Sequence, residues 1–195
     1  MDFVISSTGL LNRLQIVSKV INSKNTLSIL DNFLIRIEAG EMQITASDLE
    51  STLTARLMLD SAHGNITLGI DAKRLVDVLK EFAEQPLTFN IDDDTLKIDI
   101  NSENGKYSLM GVNAEDFPQV PVLSAEKYSS IAIQPDVLYT GISSTLFATA
   151  HDELRPVMNG ILVELGTEAT NFVATDAHKL VRYRRTDVTV ESPDK

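Results

Sequence analysis

Asp176 and His178 are the two side chains of this sequence best suited to chemistry, and they lie two residues apart in "FVATDAHKLVRYRR" (172–185). On an extended strand both would face the same way, as a metal site or an acid–base pair requires. Two ligands are too few for a metal ion, and the only other histidines are His63 and His151. We therefore expect no metal, no cofactor and no catalytic residue. A small hydrolase that uses Asp176 and His178 is kept as an alternative.

Motifs elsewhere in the chain do not strengthen the catalytic interpretation. The sequence contains no cysteine, and it shows no His-Glu-x-x-His motif, no glycine-rich phosphate loop and no nucleophile elbow. A structural role is the stronger interpretation for Asp176, because aspartate at a turn accepts hydrogen bonds from nearby backbone amides. Asp48 occupies the corresponding place earlier in the chain.

The charge of the chain limits the partners that it can have. Its formal net charge is -11, whereas phosphate binding depends on Lys and Arg displacing counterions. Any contact with nucleic acid must therefore come from a locally basic face. No apolar run approaches the roughly 20 residues needed to cross a bilayer, so we expect no membrane association. The absence of cysteine favours a reducing, cytoplasmic location.

Two segments of the chain resemble each other, which indicates an internal repeat. The segment at 30–57 aligns with the segment at 157–185, and one additional loop residue in the second segment maintains the alignment. The matched pairs are Asn32 with Asn159, Ala46 with Ala174, and Asp48 with Asp176. Both segments follow an alternating strand and an amphipathic helix. The sequence therefore predicts three copies of a strand–helix–three-strand unit, which start near residues 2, 65 and 130.

Helix signals mark the same place in each repeat unit. Ser6 or Ser7 can cap the first helix, Asp71 the second, and Pro135 suits the first turn of the third. The predicted apolar side of the first helix consists of Leu10, Leu11, Leu14, Val17 and Val20. That of the third consists of Val137, Leu138, Ile142 and Leu146. In the second unit, strands are predicted at 87–91, 96–101 and 106–112.

Pairing of these units predicts an α+β fold with helices on one face of antiparallel sheets. A single unit cannot bury its helix and its sheet alone, so units one and two should form a domain at 1–120. Residues 121–195 would then comprise a linker and the first half of a second domain. The third unit should bury its apolar face on another molecule, and a second copy of the chain forming a homodimer is the expected partner.

Several motifs occur in order along the chain: "TLSILDNFL", "TASDLE", "ENGKYSL", "EDFP", "DELRPVMNGI" and "VATDAHKLVRYRR". With these the sequence closely resembles the bacterial DNA polymerase III beta subunit family, the sliding clamps. The resemblance implies a clamp fold of three domains, each of two such units, that closes as a dimeric ring around duplex DNA with helices facing the hole. This chain would be the N-terminal portion, without the rest of domain 2 and without domain 3.

The function implied by the resemblance is that of a non-enzymatic processivity factor in the bacterial cytoplasm. Its expected partners are double-stranded DNA bound without sequence preference, the polymerase, the clamp loader and other proteins with clamp-binding motifs. Bases on the first two helices fit a DNA-facing surface; they are Arg13, Lys19, Lys73, Arg74 and Lys80. A stand-alone interaction module with the clamp fold is the other alternative.

The resemblance also implies three sets of site residues. The DNA contacts are Lys24, Lys73 and Arg155. The cleft for partner motifs consists of Met158, from a neighbouring strand, and Thr175, Ala177, His178, Lys179 and Leu180. The subunit edge strand contains Lys106, Ser108 and Leu109. Family members often have glycine where this chain has Ala177.

Overall fold

The computed structural model describes residues 1–22, 25, 27–103, 105–119 and 131–189. The chain divides into two compact regions, Met1–Pro121 and Val122–Lys195. Within the described part of the chain, every helix is too short or too polar to span a membrane.

The first compact region contains two repeat units. Unit one consists of β1 (Asp2–Ser6), α1 (Ser7–Val17), β2 (Asn32–Glu38), β3 (Glu41–Ser47), β4 (Thr52–Met58) and β5 (Ser61–His63). Unit two consists of β6 (Ile66–Asp71), α2 (Ala72–Lys80), β7 (Pro86–Ile91), β8 (Lys97–Ser102) and β9 (Gly105–Val112). The three strands predicted for unit two are confirmed to within a residue at each end, and the fold is α+β as predicted.

These strands form one antiparallel sheet in the order β4-β3-β2-β6-β9-β8-β7-β1-β5. The strand before each helix joins the sheet of the other unit: β1 pairs with β7, and β6 pairs with β2. The register is the same in both cases, because Ser6 lies opposite Pro86 and Asp71 lies opposite Asn32. The two units therefore exchange their first strands with approximate two-fold symmetry.

Both helices of this region begin at a side-chain cap. Ser6 Oγ accepts a hydrogen bond from the Gly9 amide at 3.1 Å, and Asp71 Oδ1 accepts one from the Arg74 amide at 2.8 Å. Of the two predicted candidates, Ser6 is thus the cap, whereas Ser7 Oγ donates to the Ala83 carbonyl at 2.8 Å. These bonds satisfy amides that have no partner inside the helix.

The core of the first region lies between the helices and the sheet. Phe3 and Phe89 stack with ring centroids 4.7 Å apart. The helices contribute Leu10, Leu14, Val17, Leu75 and Leu79, all buried. Leu11 is only half-buried, and Val20 lies in a 3-10 turn because α1 ends at Val17. Each fully buried side chain of this size contributes about 1.5–3 kcal/mol of transfer free energy.

The second compact region contains α3 (Pro135–Ser143), β10 (Leu162–Leu165), β11 (Thr170–Thr175) and β12 (Leu180–Arg185). The strands form an antiparallel sheet in the order β10-β11-β12. Phe172 is buried beneath α3, and a Cβ added to Gly141 would lie 2.5 Å from its ring. Glycine at position 141 therefore permits the close packing of α3 on β11.

Two sequence predictions for unit three are wrong. The predicted strand before α3 is absent from the described residues 131–134, since in the first region such a strand forms only on another unit's sheet. Leu146 is not on the helix, because α3 ends at Ser143, and its side chain is exposed. Hydroxyl groups bind the helix carbonyls there: Thr145 Oγ1 donates to the Gly141 carbonyl at 2.8 Å, which competes with helix continuation.

Candidate functional site

Asp176 closes the turn between β11 and β12. Its Oδ1 accepts hydrogen bonds from the amides of His178 at 3.0 Å and Lys179 at 2.9 Å, and its Oδ2 is paired with Lys179 Nζ. Thr175 Oγ1 adds a bond to the Lys179 carbonyl at 2.7 Å. The Lys179 ammonium and these amides hold the pKa of Asp176 well below its usual range. The carboxylate is therefore ionised and committed to the turn.

The expected arrangement of Asp176 and His178 on one extended strand is wrong. β11 ends at Thr175 and β12 begins at Leu180, so both residues belong to the turn. Across the described residues, no group of three or more His, Cys, Asp or Glu side chains is placed to bind a metal ion. The geometry gives Asp176 the structural role that the sequence also suggested.

The partner-motif residues from 175 to 180 are brought together by this turn. The Ala177 amide donates to Thr175 Oγ1 at 3.1 Å, and Leu180 lies opposite Thr175 in the β11–β12 pairing. Leu180 is 67% exposed, which is high for a large apolar side chain. The turn therefore presents one apolar side chain beside polar and charged neighbours on an accessible surface.

Met158 is not on a strand as predicted, but in a 3-10 turn, Pro156–Asn159, that leads into β10. Proline favours this geometry because its fixed φ angle and missing amide suit the first position of a helical turn. Met158 is half-buried, and its carbonyl accepts a bond from the Ala150 amide at 2.9 Å. Since Leu162 pairs with Val173, the chain before β10 lies at the same end of the sheet as the 175–180 turn.

Two exposed apolar residues near Met158 were missed by the sequence reasoning. Leu154 is 93% exposed and Val157 is 86% exposed. Both flank the Arg155–Pro156 pair, where a proline in a polar segment indicates a surface loop. That signal could have identified them as an accessible apolar surface.

Arg155, a predicted DNA contact, is held inside its own loop. Its Nε and Nη2 atoms each lie 2.8 Å from Asp152 Oδ2. The Arg155 guanidinium and the Leu154 amide hold the pKa of Asp152 below its usual range. Asn159 fixes the same loop, because its Oδ1 accepts the Asp152 amide at 2.9 Å. The positive charge of Arg155 is thus largely neutralised by Asp152.

Lys73 is exposed in the first turn of α2 and makes no ion pair with any described residue. Together with Lys80 it borders a depression between α2 and the end of α1, which is also lined by Ser18 and Ile21. Lys24, the other predicted contact, lies outside the described residues. The other bases predicted for the first two helices, Arg13, Lys19 and Arg74, are all exposed, and Lys19 lies in the 3-10 turn after α1.

The predicted subunit edge lies on β9. The residues from Gly105 to Met110 pair with β8 on one side, and on their other side no described strand pairs with them. Gly111 and Val112, at the end of β9, pair with β6. Two of the three predicted edge residues converge on Asp99: Lys106 Nζ lies 2.8 Å from its Oδ2, and Ser108 Oγ donates to its Oδ1 at 2.6 Å. These groups, Lys106 first, hold the pKa of Asp99 well below its usual range.

Two family models match the chain, and together they span most of it. The DNA polymerase III beta subunit, N-terminal domain, matches residues 1–121, and the DNA polymerase III beta subunit, central domain, matches residues 132–195. The chain belongs to the DNA polymerase III beta subunit family.

Individual members of this family show the extent of the similarity. The beta sliding clamp of Pseudomonas aeruginosa is 31% identical over 180 residues, which are 92% of this chain and 48% of that protein. The crystal structure of the DNA polymerase III subunit beta from the same organism superposes with a TM-score of 0.90 and 28% identity, over 100% of this chain and 52% of the other. A P. aeruginosa sliding clamp bound to griselimycin gives a TM-score of 0.87 at 28% identity over 98% of this chain and 52% of the other. The chain thus spans about half the length of these relatives.

Ala177, at the centre of the 175–180 turn, has a backbone φ angle of 75°. This is the left-handed region, which glycine adopts freely and a residue with a Cβ adopts at a cost. Glycine would therefore fit the backbone at position 177 at a lower cost than alanine does.

Proposed function

We propose that this chain acts as part of a DNA sliding clamp, a non-catalytic processivity factor that surrounds duplex DNA and tethers the replicative polymerase and other clamp-binding proteins. Membership of the DNA polymerase III beta subunit family supports this proposal. Because the chain spans about half the length of its relatives, we assign to it the first clamp domain, residues 1–120, and half of the central domain. Localisation in the bacterial cytoplasm belongs to the same proposal.

The proposal that the chain binds DNA is supported mainly by the exposed basic residues of α1 and α2. These helices come from two units related by strand exchange, and they pack against each other. Their exposed bases are Arg13, Lys73, Arg74 and Lys80, of which Arg74 and Lys80 also pair with Asp71 and Asp77. Lys19 is exposed in the 3-10 turn that follows α1. Such bases contact phosphates without reading sequence, and few of them give weak binding that still permits sliding. Lys24 is also a proposed phosphate contact, and Arg155 would contribute only if it left Asp152.

Partner proteins would bind at the 175–180 turn with Met158 and the apolar residues Leu154 and Val157. Exposed apolar side chains at a strand end provide anchors for a short peptide, and the polar groups of the turn fix its orientation. The P. aeruginosa clamp that binds griselimycin is consistent with a ligand site in this family. Polymerase, clamp loader and other motif-bearing proteins are the proposed ligands.

DNA binding is tested by fluorescence anisotropy with two duplexes of unrelated sequence. We expect dissociation constants of about 10⁻⁴–10⁻⁶ M at physiological salt, equal for both duplexes and rising steeply with salt. A nanomolar affinity or a strong preference for one sequence would contradict the clamp proposal. Peptide binding without any DNA binding would instead support the stand-alone module.

Partner binding is tested with a labelled clamp-binding peptide and the variant Leu180→Glu. Thr52→Glu is the matched control, because Thr52 follows the Asp48 turn as Leu180 follows the Asp176 turn. We expect Leu180→Glu to weaken peptide binding by about tenfold or more, since a buried anchor contributes over 1 kcal/mol. Thr52→Glu should bind as the unmodified chain does. Equal effects of the two variants would remove the 175–180 turn from the binding site.

A further inference from the structure

Asn159 and Gly160 form an Asn-Gly pair where the Pro156–Asn159 turn leads into β10. Both residues are exposed. In an Asn-Gly pair the main-chain nitrogen of the glycine can attack the side-chain amide of the asparagine, because glycine has no Cβ to block the approach. The side chain of Asn159 is therefore placed for a covalent modification that requires no enzyme.

The side-chain amide of Asn159 is held in a fixed position by Asp152. Asn159 Oδ1 accepts a hydrogen bond from the Asp152 amide at 2.9 Å, and Asn159 Nδ2 donates to the Asp152 carbonyl at 3.3 Å. When a nucleophile attacks Asn159 Cγ, negative charge develops on Oδ1, and a backbone amide already bonded to that oxygen stabilises the charge. The Asp152 amide thus acts as an oxyanion donor for this attack.

The main-chain nitrogen of Gly160 is free to act as the nucleophile. Its amide makes no hydrogen bond with any residue that the structure describes. A Cβ added to Gly160 would have no atom within 4 Å, so the chain can adjust there without a clash. The φ angle of -112° and ψ angle of 172° are extended backbone that any residue adopts. Gly160→Ala should therefore fold normally and hinder only the attack.

We propose that Asn159 is a site of spontaneous deamidation through a succinimide formed with Gly160. A bond forms between the Gly160 nitrogen and Asn159 Cγ, and the bond between Cγ and Nδ2 breaks. The proton of the Gly160 amide leaves with that nitrogen as ammonia. Water then opens the ring at either carbonyl, which leaves aspartate or isoaspartate at position 159. Water is the only co-reactant.

Either product changes the loop that contains Met158. Aspartate at position 159 has no group to donate to the Asp152 carbonyl, and it brings a carboxylate close to that oxygen. Isoaspartate adds one methylene to the main chain between Met158 and β10. The consequence for partner binding rests on the proposed peptide site, to which Met158 belongs. We expect deamidated chains to bind a clamp-binding peptide more weakly than fresh chains do.

Peptide mapping by mass spectrometry tests the modification itself, after incubation of the chain in mildly alkaline buffer at physiological temperature. Isoaspartate is labelled with a protein isoaspartate methyltransferase. We expect conversion at Asn159 at least as fast as in a synthetic peptide of residues 154–165, and Gly160→Ala should slow it by about tenfold. Asn171, which precedes the buried Phe172, is the internal control and should remain asparagine. The Asn-Gly pair at 104–105 lies in a separate proteolytic peptide and is scored apart.

Peptide binding of fresh and aged samples tests the effect on the partner site. The aged chain should lose binding in proportion to the fraction converted at Asn159, and aged Gly160→Ala, which still carries any change at 104–105, should retain it. Asn159 that persists in the folded chain while the synthetic peptide converts, or equal conversion in Gly160→Ala, would overturn the deamidation proposal. Conversion with full retention of peptide affinity would overturn the link to the partner site. A fresh chain that binds no peptide would contradict the proposed function, and the mass measurement would still decide the modification.

Discussion

Asp48 and Asp176 close turns of the same geometry in repeat units one and three. Each Oδ1 accepts the amides two and three residues further on, which are Glu50 and Ser51 for Asp48 and His178 and Lys179 for Asp176. The residue after each aspartate has a positive φ angle, 78° at Leu49 and 75° at Ala177. Asp176, which first suggested catalysis, thus belongs to a turn that recurs in the repeat, with Glu50 at the position of His178.

The positive φ angle of Ala177 predicts that Ala177→Gly stabilises the second compact region. Removing the Cβ relieves a cost of about 1–2 kcal/mol, part of which is lost to the greater freedom of glycine in the unfolded chain. We expect a net gain of about 0.5–1 kcal/mol in the free energy of unfolding. Ala177→Val should destabilise the same region, because β-branched residues tolerate this conformation least. Chemical denaturation of the three proteins measures both changes, and a loss of stability in Ala177→Gly would contradict the argument.

Close packing of α3 on β11 predicts a cost for any side chain at position 141. The Cβ of Gly141→Ala would lie 2.5 Å from the Phe172 ring, and overpacking of this kind costs about 1–3 kcal/mol. Gly141→Ala should therefore lower the free energy of unfolding less in the Phe172→Leu background than in the unmodified chain. Thermal unfolding of the full set forms a double-mutant cycle. Additive effects of the two substitutions would show that the helix does not rest on the ring.

The lowered pKa of Asp99 predicts a pH-dependent effect of Asp99→Asn. A carboxylate whose pKa is lower in the folded state stabilises the fold above its unfolded pKa, and this stability is lost as pH falls through the folded value. Asp99→Asn should therefore be less stable than the unmodified chain at neutral pH. The difference should start to shrink below the ordinary value of 3.8. Denaturation midpoints at several pH values measure it, and a constant difference down to strongly acidic pH would exclude the Lys106 and Ser108 contacts as its cause.

The exposed position of Lys73 predicts a specific change in salt dependence. If Lys73 contacts one phosphate, Lys73→Ala should reduce the slope of log K against log salt by about one. Lys97→Ala is the control, because Lys97 alternates on β8 with the buried Ile98 and so faces away from the helices. Its slope should stay unchanged. Equal changes in the two slopes would indicate diffuse attraction with no localised DNA surface.

Much of the fold follows from local signals in the sequence. The caps Ser6 and Asp71 and the strands of unit two are set by neighbours within a few residues, so spacing and residue type predict them well. The failure at 131–134 has a different cause. That segment has residues typical of a strand, but a strand forms only where a neighbouring strand has a free edge to pair with. In the first region that neighbour belongs to the other repeat unit, which local sequence does not reveal.

The candidate site was predicted less completely for related reasons. The sequence alignment placed Asp176 at a turn, yet it could not show that Asp152 already binds Arg155 or that Met158 lies in a 3-10 turn. Those features depend on side chains several residues apart that meet only in the folded loop. The exposure of Leu154 and Val157 likewise follows from the loop around Pro156 and not from their residue types.

Site-specific photo-cross-linking shows which face of the first region meets DNA. The chain contains no cysteine, so a single introduced cysteine can be labelled with a photo-reactive cross-linker. Arg13→Cys places the label on α1, and Asn90→Cys places it on the outer face of β7. Irradiation with two unrelated duplexes should give DNA adducts from position 13, alike for both sequences, and few from position 90. Stronger adducts from position 90, or adducts with only one of the two sequences, would show that duplex DNA does not lie against the helices as proposed.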